Sequence, residues 1–365
     1  MRDLHQEVGS EAAPAPERAA RSALSVATFE AGPAGILALQ RSAGNRAVSR
    51  LIARSARPGR VLARDTILKD LETKIEDAKA GKYKDPKIQA VHDRNKPGTE
   101  AQRLALAWLD WSSAPSSKWA NLTWANVAEQ AAERAFHPNL INQKALGVCD
   151  MAAVLNFEAT VDPAGYTQLV YECFSQGTMK GKKLNSKLLG NTAMAGQDEV
   201  DWMLLSGMTD STNDWYQYYG RPDPNPMKWS DSKREGFLAG DDKWALTKFA
   251  GAVETKVIDT PKAADVIPAT KTVNDLLTKH PNDVAVLIRL SASVLQNPAS
   301  DENNLNHTVR LTKPALITED PDPTKGTVKA DIFTWGGILP WSGTERQWQH
   351  MIWAFVVASR AKSVL

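Results

Sequence analysis

Seven consecutive residues, Val284-Ala285-Val286-Leu287-Ile288-Arg289-Leu290, limit what this chain can fold into more than any other stretch. A strand with one face in water alternates apolar and polar side chains. This run is too continuously apolar for that, so it reads as a buried strand. Downstream, His307 to Thr312 and Val328 to Thr334 alternate, and Trp353 to Ser359 is a last apolar strand. Upstream the periodicity is helical. Thr66 to Ala80 carries Ile67, Leu71 and Ile75 on one face and ends at Gly81; Glu100 to Trp111 carries Leu104, Leu106, Trp108 and Leu109. Trp124 to Phe136 is stopped by His137-Pro138-Asn139, and Asp162-Pro163 and Gly177 bracket a helix around Tyr166 to Phe174. Val200 to Leu205, Lys243 to Val253 and Thr272 to Lys279 add further helices. Helices first and a largely antiparallel sheet afterwards is an α+β order.

With 365 residues, 42% hydrophobic and 24% charged, the chain has the composition of a soluble globular protein. No stretch approaches the roughly 18–20 apolar residues of a membrane span. Met1-Arg2-Asp3-Leu4-His5-Gln6-Glu7 lacks the apolar core of a secretory signal peptide, so synthesis in the cytoplasm without Sec export is the expectation. The two cysteines, Cys149 and Cys173, form neither a disulfide framework nor a metal-finger spacing, and both fall in helices, so two reduced thiols are expected. The six histidines are scattered, with no HxxxH or HExxH pair. No metal or other cofactor is expected.

Charge divides the chain in two. Residues 1–64 hold ten Arg and five Asp or Glu, a net of +5, so the remaining 301 residues carry −3 within the total of +2. A mildly acidic body argues against nucleic acid as its partner. Residues 1–32 are rich in Ala, Glu, Pro and Ser and cannot bury enough to order themselves. Beyond them, Ile36, Leu39, Ala43, Ala47 and Leu51 fall at helical spacing, with Gly44-Asn45 dividing two amphipathic pieces. Seven arginines and no acid lie between Arg41 and Arg64. Such a segment suits a membrane surface, an organelle presequence or a partner's groove, or simply a solvated basic tail. The wording LALQRSAGNRAVSRLIAR, followed by Val61-Leu62-Ala63-Arg64-Asp65, resembles the N-terminal segment of many cargo proteins of bacterial extracellular contractile injection systems. That resemblance implies a packaged effector whose residues 36–64 contact the tube or loading components, delivered to a target cell by an injection particle.

The chemistry centres on Gln143-Lys144-Ala145-Leu146-Gly147-Val148-Cys149-Asp150. A Gly-Val turn delivers Cys149 to the first turn of the apolar run Met151 to Ala159, where the exposed N–H groups of a helix start stabilise a thiolate. Gln143 lies six residues upstream, Asn306-His307-Thr308-Val309 offers a base, and Ile332-Phe333-Thr334-Trp335-Gly336-Gly337 follows. Cysteine, histidine and an amide donor are the parts of a thiol-nucleophile hydrolase. A lone cysteine also packs as a small buried thiol, and a histidine opening a strand also serves as a hydrogen-bonded structural group.

In order and type, these motifs resemble the papain-like cysteine peptidases over about residues 140–360. The resemblance implies a domain over 65–365, helical in its N-terminal half and sheet-forming in its C-terminal half, with a helical insertion at about 178–270. It implies Cys149 as nucleophile, His307 as base and then acid, Gln143 with the Cys149 N–H as oxyanion donors, and Trp335 as cover for the histidine. Three departures qualify it. Phe333 stands where the family has its orienting asparagine, so Asp331, two residues back on the same strand face, is the expected substitute, with Thr334 second because alternation points it away. Asp150 follows the nucleophile and would raise the thiol pKa unless it faced solvent or a cation. The 157 residues between Cys149 and His307 are many for the family. Peptide hydrolysis on a protein or peptide substrate is the first expectation. Glutamine deamidation or transglutamination by the same thioester, a non-catalytic interaction module, and a membrane-acting toxin working through residues 36–54 are the alternatives.

Overall fold

The computed structural model describes residues 73–74, 76–78, 80–110, 115–144, 146–193, 196–212, 239–296 and 305–365. The arm at 1–64 and most of the helix read over Thr66 to Ala80 lie outside the described residues. From Pro86 onward, the described helices are α1 (Pro86–Asn95), α2 (Glu100–Leu109), α3 (Trp124–Phe136), α4 (Cys149–Val161), α5 (Pro163–Gln176), α6 (Ser186–Leu189), α7 (Glu199–Thr212), α8 (Ala239–Phe249), α9 (Ala263–Lys279), α10 (Ala292–Gln296) and α11 (Glu345–Met351). The described strands are β1 (Thr178–Met179), β2 (Lys182–Lys183), β3 (Glu254–Asp259), β4 (Val284–Ser291), β5 (Leu305–Leu311), β6 (Leu316–Thr318), β7 (Thr327–Thr334), β8 (Gly337–Thr344) and β9 (Ile352–Ser359). The architecture is α+β with an antiparallel sheet.

Local chemistry explains the boundaries. Asp162 caps α5 by accepting from the Gly165 N–H, Pro163 fills its first position, and Gly177 ends it in the left-handed region at φ 59°. Thr99 with Gln102 and Thr344 with Gln347 make reciprocal capping boxes for α2 and α11. α9 begins nine residues before the expected Thr272 and runs through Pro268, the residue that hides its first half from a sequence reading.

The main sheet runs β3-β9-β4-β5-β7-β6, with β8 on the other side of β7. It is covered on both faces. Ala285, Leu287, Phe333, Val356 and Ala358 pack into the core made with α4, α5 and α7. Val286, Ile288, Val309, Leu311, Ile332 and Phe355 face the other way, against Val273 and Leu277 of α9 and Trp348 and Met351 of α11. This is why β4 reads as continuously apolar. Each large side chain so buried contributes about 1.5–3 kcal/mol, which fixes α4 flat against β4 and β5. Arg360, at the end of β9, closes the far end of α4 by pairing with Glu158 at 3.3 Å and Asp162 at 2.9 Å.

The stretch 178–270 is not wholly helical. It holds the β1–β2 hairpin and β3, which among the described residues is an edge strand paired with β9, and α9 begins within it. Lys256 and the outer position of β3 kept it from reading as a strand.

Candidate active site

Gly147 at φ +67° turns the chain, Val148 takes the cap position, and Cys149 becomes the first residue of α4, half-buried. There it meets β5: the Thr308 N–H donates to the Cys149 Sγ at 3.3 Å. His307 is therefore the neighbour in sequence of the residue that touches the sulfur. Its ring is largely buried, its Nε2 lies 2.6 Å from the Thr334 Oγ1, and it stacks on Trp335 with ring centroids 4.6 Å apart and planes 13° from parallel. With Nε2 engaged by Thr334, Nδ1 is the nitrogen left for proton exchange.

Register decides which residue stands behind the histidine. β5 and β7 pair with Arg310 opposite Phe333 and Leu311 opposite Ile332. Continued one step, the antiparallel ladder puts Val309 opposite Thr334, so His307, Val309 and Thr334 share a face by period two. Asp331 and Phe333 share the opposite one. The expected Asp331 accordingly stands elsewhere, in an ion pair with Lys313 at 2.7 Å near the surface, and Phe333 is buried in the core on the α4 side. Thr334, ranked second from the sequence, is the residue whose hydroxyl meets His307 Nε2.

The β7–β8 turn joins this group to the Gln143 segment. Thr334 pairs with Gly337, leaving Trp335 at φ 46° and Gly336 at φ 80° as a two-residue turn of the primed type. A tryptophan in the left-handed region is an uncommon, strained placement, and here it lays the indole over His307. A Cβ on Gly336 would come within 2.3 Å of the Asn142 side chain, so the turn rests directly on the residue before Gln143. From below, the Asn142 N–H donates to Asp201 at 3.0 Å, and Arg134 grips Asp201 through Nε at 2.6 Å and Nη2 at 2.7 Å. Gln197 donates to the carbonyls of both Asn142 and Gln143 at 3.4 Å. Gln143 itself is buried, and its Oε1 has no hydrogen-bond partner among the described residues. Its backbone is fixed while its amide remains uncommitted.

Electrostatics set the resting protonation state. Burial of the sulfur, then the Asp150 carboxylate, push the Cys149 thiol up to about 12, against the opposing Thr308 N–H. Asp150 does not face solvent. It is buried, and burial together with the Asp242 carboxylate raises its own pKa to about 7. The nearest cation, Arg289, is shared, because its Nε pairs with Asp242 at 2.8 Å. Burial lowers His307 to about 4. At neutral pH Cys149 is thus a neutral thiol and His307 a neutral imidazole. Cys173 is fully buried, with its Sγ 3.8 Å from the Met203 carbonyl oxygen. Among the described residues no group of three or more His, Cys, Asp or Glu could hold a metal ion, and no helix is long and apolar enough to cross a membrane.

Sequence reasoning missed the Asp242–Arg289 pair. Arg289 had a visible signal, as the single charge inside the apolar β4 run; Asp242, brought in from a distant helix, had none. No protein-family model matches the chain and no curated protein matches it, so the functional reading rests on these residues and their geometry.

Proposed function

We propose that the chain is a thiol-nucleophile hydrolase of papain-like arrangement acting on peptide bonds. One observation carries the reading: the sulfur at the start of α4 accepts the Thr308 N–H, and His307, the residue before Thr308, is bonded to Thr334 and covered by Trp335. In this reading His307 Nδ1 takes the thiol proton as Sγ bonds to the carbonyl carbon. The oxyanion is held by the Cys149 N–H and the Gln143 amide, each worth about 3 kcal/mol in such sites. The C–N bond then breaks, the amine leaves with the proton from His307, and a thioester remains. Water, deprotonated by His307, attacks the thioester; the C–S bond breaks, the carboxylic acid leaves, and the sulfur regains its proton from His307. A primary glutamine amide would enter the same cycle and release ammonia. The arm at residues 36–64 would serve loading into, and delivery by, an injection particle, a role supported by its sequence alone.

A second reading, an inert interaction module, is favoured by the burial that, with the Asp150 and Asp242 carboxylates, holds the thiol protonated. A thiol-directed epoxide separates the two. In the full chain, labelling of Cys149 should be fast and should collapse in His307→Ala. If Cys149 reacts no faster than a free thiol, or equally fast without His307, the hydrolase reading fails.

A further inference from the structure

Among the described residues Arg134, Arg310 and Arg360 are buried, and Arg134 and Arg310 differ in one respect. Arg134, 3% exposed, presents its Nε–Nη2 edge to Asp201 in a two-point grip. Arg310 on β5 is 7% exposed and has no such partner among the described residues. Its Nη1 donates to Asn156 Oδ1 at 2.6 Å and Thr160 Oγ1 at 3.0 Å, both neutral, and its guanidinium lies 5.3 Å from the centre of the Phe157 ring. Its Nε is buried without a hydrogen bond. The free edge is the same Nε–Nη2 fork with which Arg134 holds a carboxylate. Burial lowers its pKa to about 10 with no neighbouring acid offsetting the cost, so the group is still a cation at neutral pH. An enclosed cation with an unfilled fork is costly to keep unless an anion completes it.

We propose that Arg310 is a specificity residue that receives a carboxylate of the substrate, an acidic side chain or a chain terminus. The assignment rests on the hydrolase reading. A single guanidinium balances a single negative charge and matches a planar carboxylate in two-point geometry; a phosphate dianion would leave one charge uncompensated. The position suits a subsite. Asn156 is seven residues along α4 from Cys149, roughly 10 Å at 1.5 Å per residue, and Arg310 lies two residues along β5 from Thr308, roughly 7 Å. The carboxylate would therefore sit about two to three extended residues from the scissile bond. The fork lies just under the surface: Thr160 is exposed, and so is Asn139, which accepts from Asn156.

The test uses the full chain as Cys149→Ala with ¹⁵N-arginine, following the Arg310 Nε–Hε resonance, identified by its loss in Arg310→Lys and by through-bond assignment should that variant not fold. N-acetyl-glutamate should move the resonance saturably downfield, and N-acetyl-glutamine should not. Equal shifts, no shift with either, or a shift with inorganic phosphate alone would overturn the assignment. In parallel, wild-type protein should cleave peptide pools carrying Glu near the scissile bond at least about tenfold better in kcat/KM than the matched Gln pools. A moved resonance with no pool cleaved sinks the hydrolase reading and keeps the carboxylate site. Cleavage without preference and without a shift sinks the role of Arg310 and keeps the hydrolase.

Discussion

Cys149 and Cys173 sit on consecutive helices, and the chain uses them in opposite ways. Cys173 is in the third turn of α5, fully buried and facing helix α7, where a Cβ on Gly207 would lie 3.2 Å from its sulfur. Burial, and after it the Glu172 carboxylate, hold that thiol well above its ordinary pKa. Cys149 is also kept protonated by burial and then by the Asp150 carboxylate, itself pushed into the neutral range, while the Thr308 N–H opposes them. Burial alone thus separates the two thiols poorly. What separates them is the company at the sulfur: the Met203 carbonyl and the packing of α7 for Cys173, the N–H of Thr308, next in the chain to His307, for Cys149.

The widest gap should appear in turnover. Cys149→Ala should lower peptide hydrolysis at least about 10³-fold, while Cys173→Ala leaves it within about twofold. Comparable losses in the two variants, measured on folded protein, would erase the contrast. The next effect is smaller and concerns orientation. Thr334→Val removes the hydroxyl that holds His307 Nε2, and loss of one such hydrogen bond predicts about a tenfold fall in kcat. Asp331→Asn breaks only the surface pair with Lys313 and should change kcat little. The reverse ranking of these two variants would restore Asp331 as the orienting group.

Asp150 sharpens the comparison through pH. Its folded pKa, about 7, lies above the unfolded value near 3.9. The proton bound in the folded state therefore stabilises the fold fully below the unfolded value, and that contribution is lost as pH rises through about 7. Asp150→Asn should accordingly stabilise the protein at pH 8, by about 1–3 kcal/mol, with little effect near pH 4. The same change removes a charge that opposes thiolate formation, so Cys149 labelling at pH 8 should quicken several-fold while Cys173 is unaffected. Chemical denaturation at the two pH values and probe kinetics at pH 8 check both halves. A slower Cys149 in this variant would mean that the carboxylate supports the thiol rather than restraining it.

How far the sequence carried these contrasts depends on the range of the interactions behind them. Gly147 and the apolar run after Cys149 are local signals, as are Asp162-Pro163 and Gly177, and the structure has α4 and α5 starting and ending at them. The continuous apolarity of Val284 to Leu290 reported a strand covered on both faces. Thr334 was undervalued because alternation along β7 gives two sides without saying which one meets His307. That fact belongs to the pairing of Arg310 with Phe333, not to either strand. Strand β8 was invisible because Pro340 and Gly343 break its pattern, tolerable on a strand paired along only one edge. Helix α11, at seven residues, is too short to show a period. Arg310 was legible in principle, as a charge at every-second spacing from Thr308, but only the helix lying over that face makes the position buried.

The smallest predicted effect tests whether Cys173 is packing and nothing more. Its sulfur fills the crossing of α5 over α7, where Gly207 lets the helices approach and the Met179 methyl would lie 3.1 Å from a Cβ at that glycine. Trp119, whose indole N–H donates to the Cys173 carbonyl at 2.9 Å, holds the neighbouring backbone regardless of the side chain. Cys173→Ala should then cost about 1 kcal/mol, the transfer of one small buried group plus a partly collapsed void. Cys173→Ser, nearly isosteric, keeps the volume but buries a hydroxyl whose nearest acceptor, the Met203 carbonyl, lies 3.8 Å from the present sulfur, so it should cost more than alanine. Urea denaturation of the three proteins reads the order directly. If serine proves as stable as wild type, the site accommodates a polar group, and the contrast between the two thiols narrows to the presence of His307.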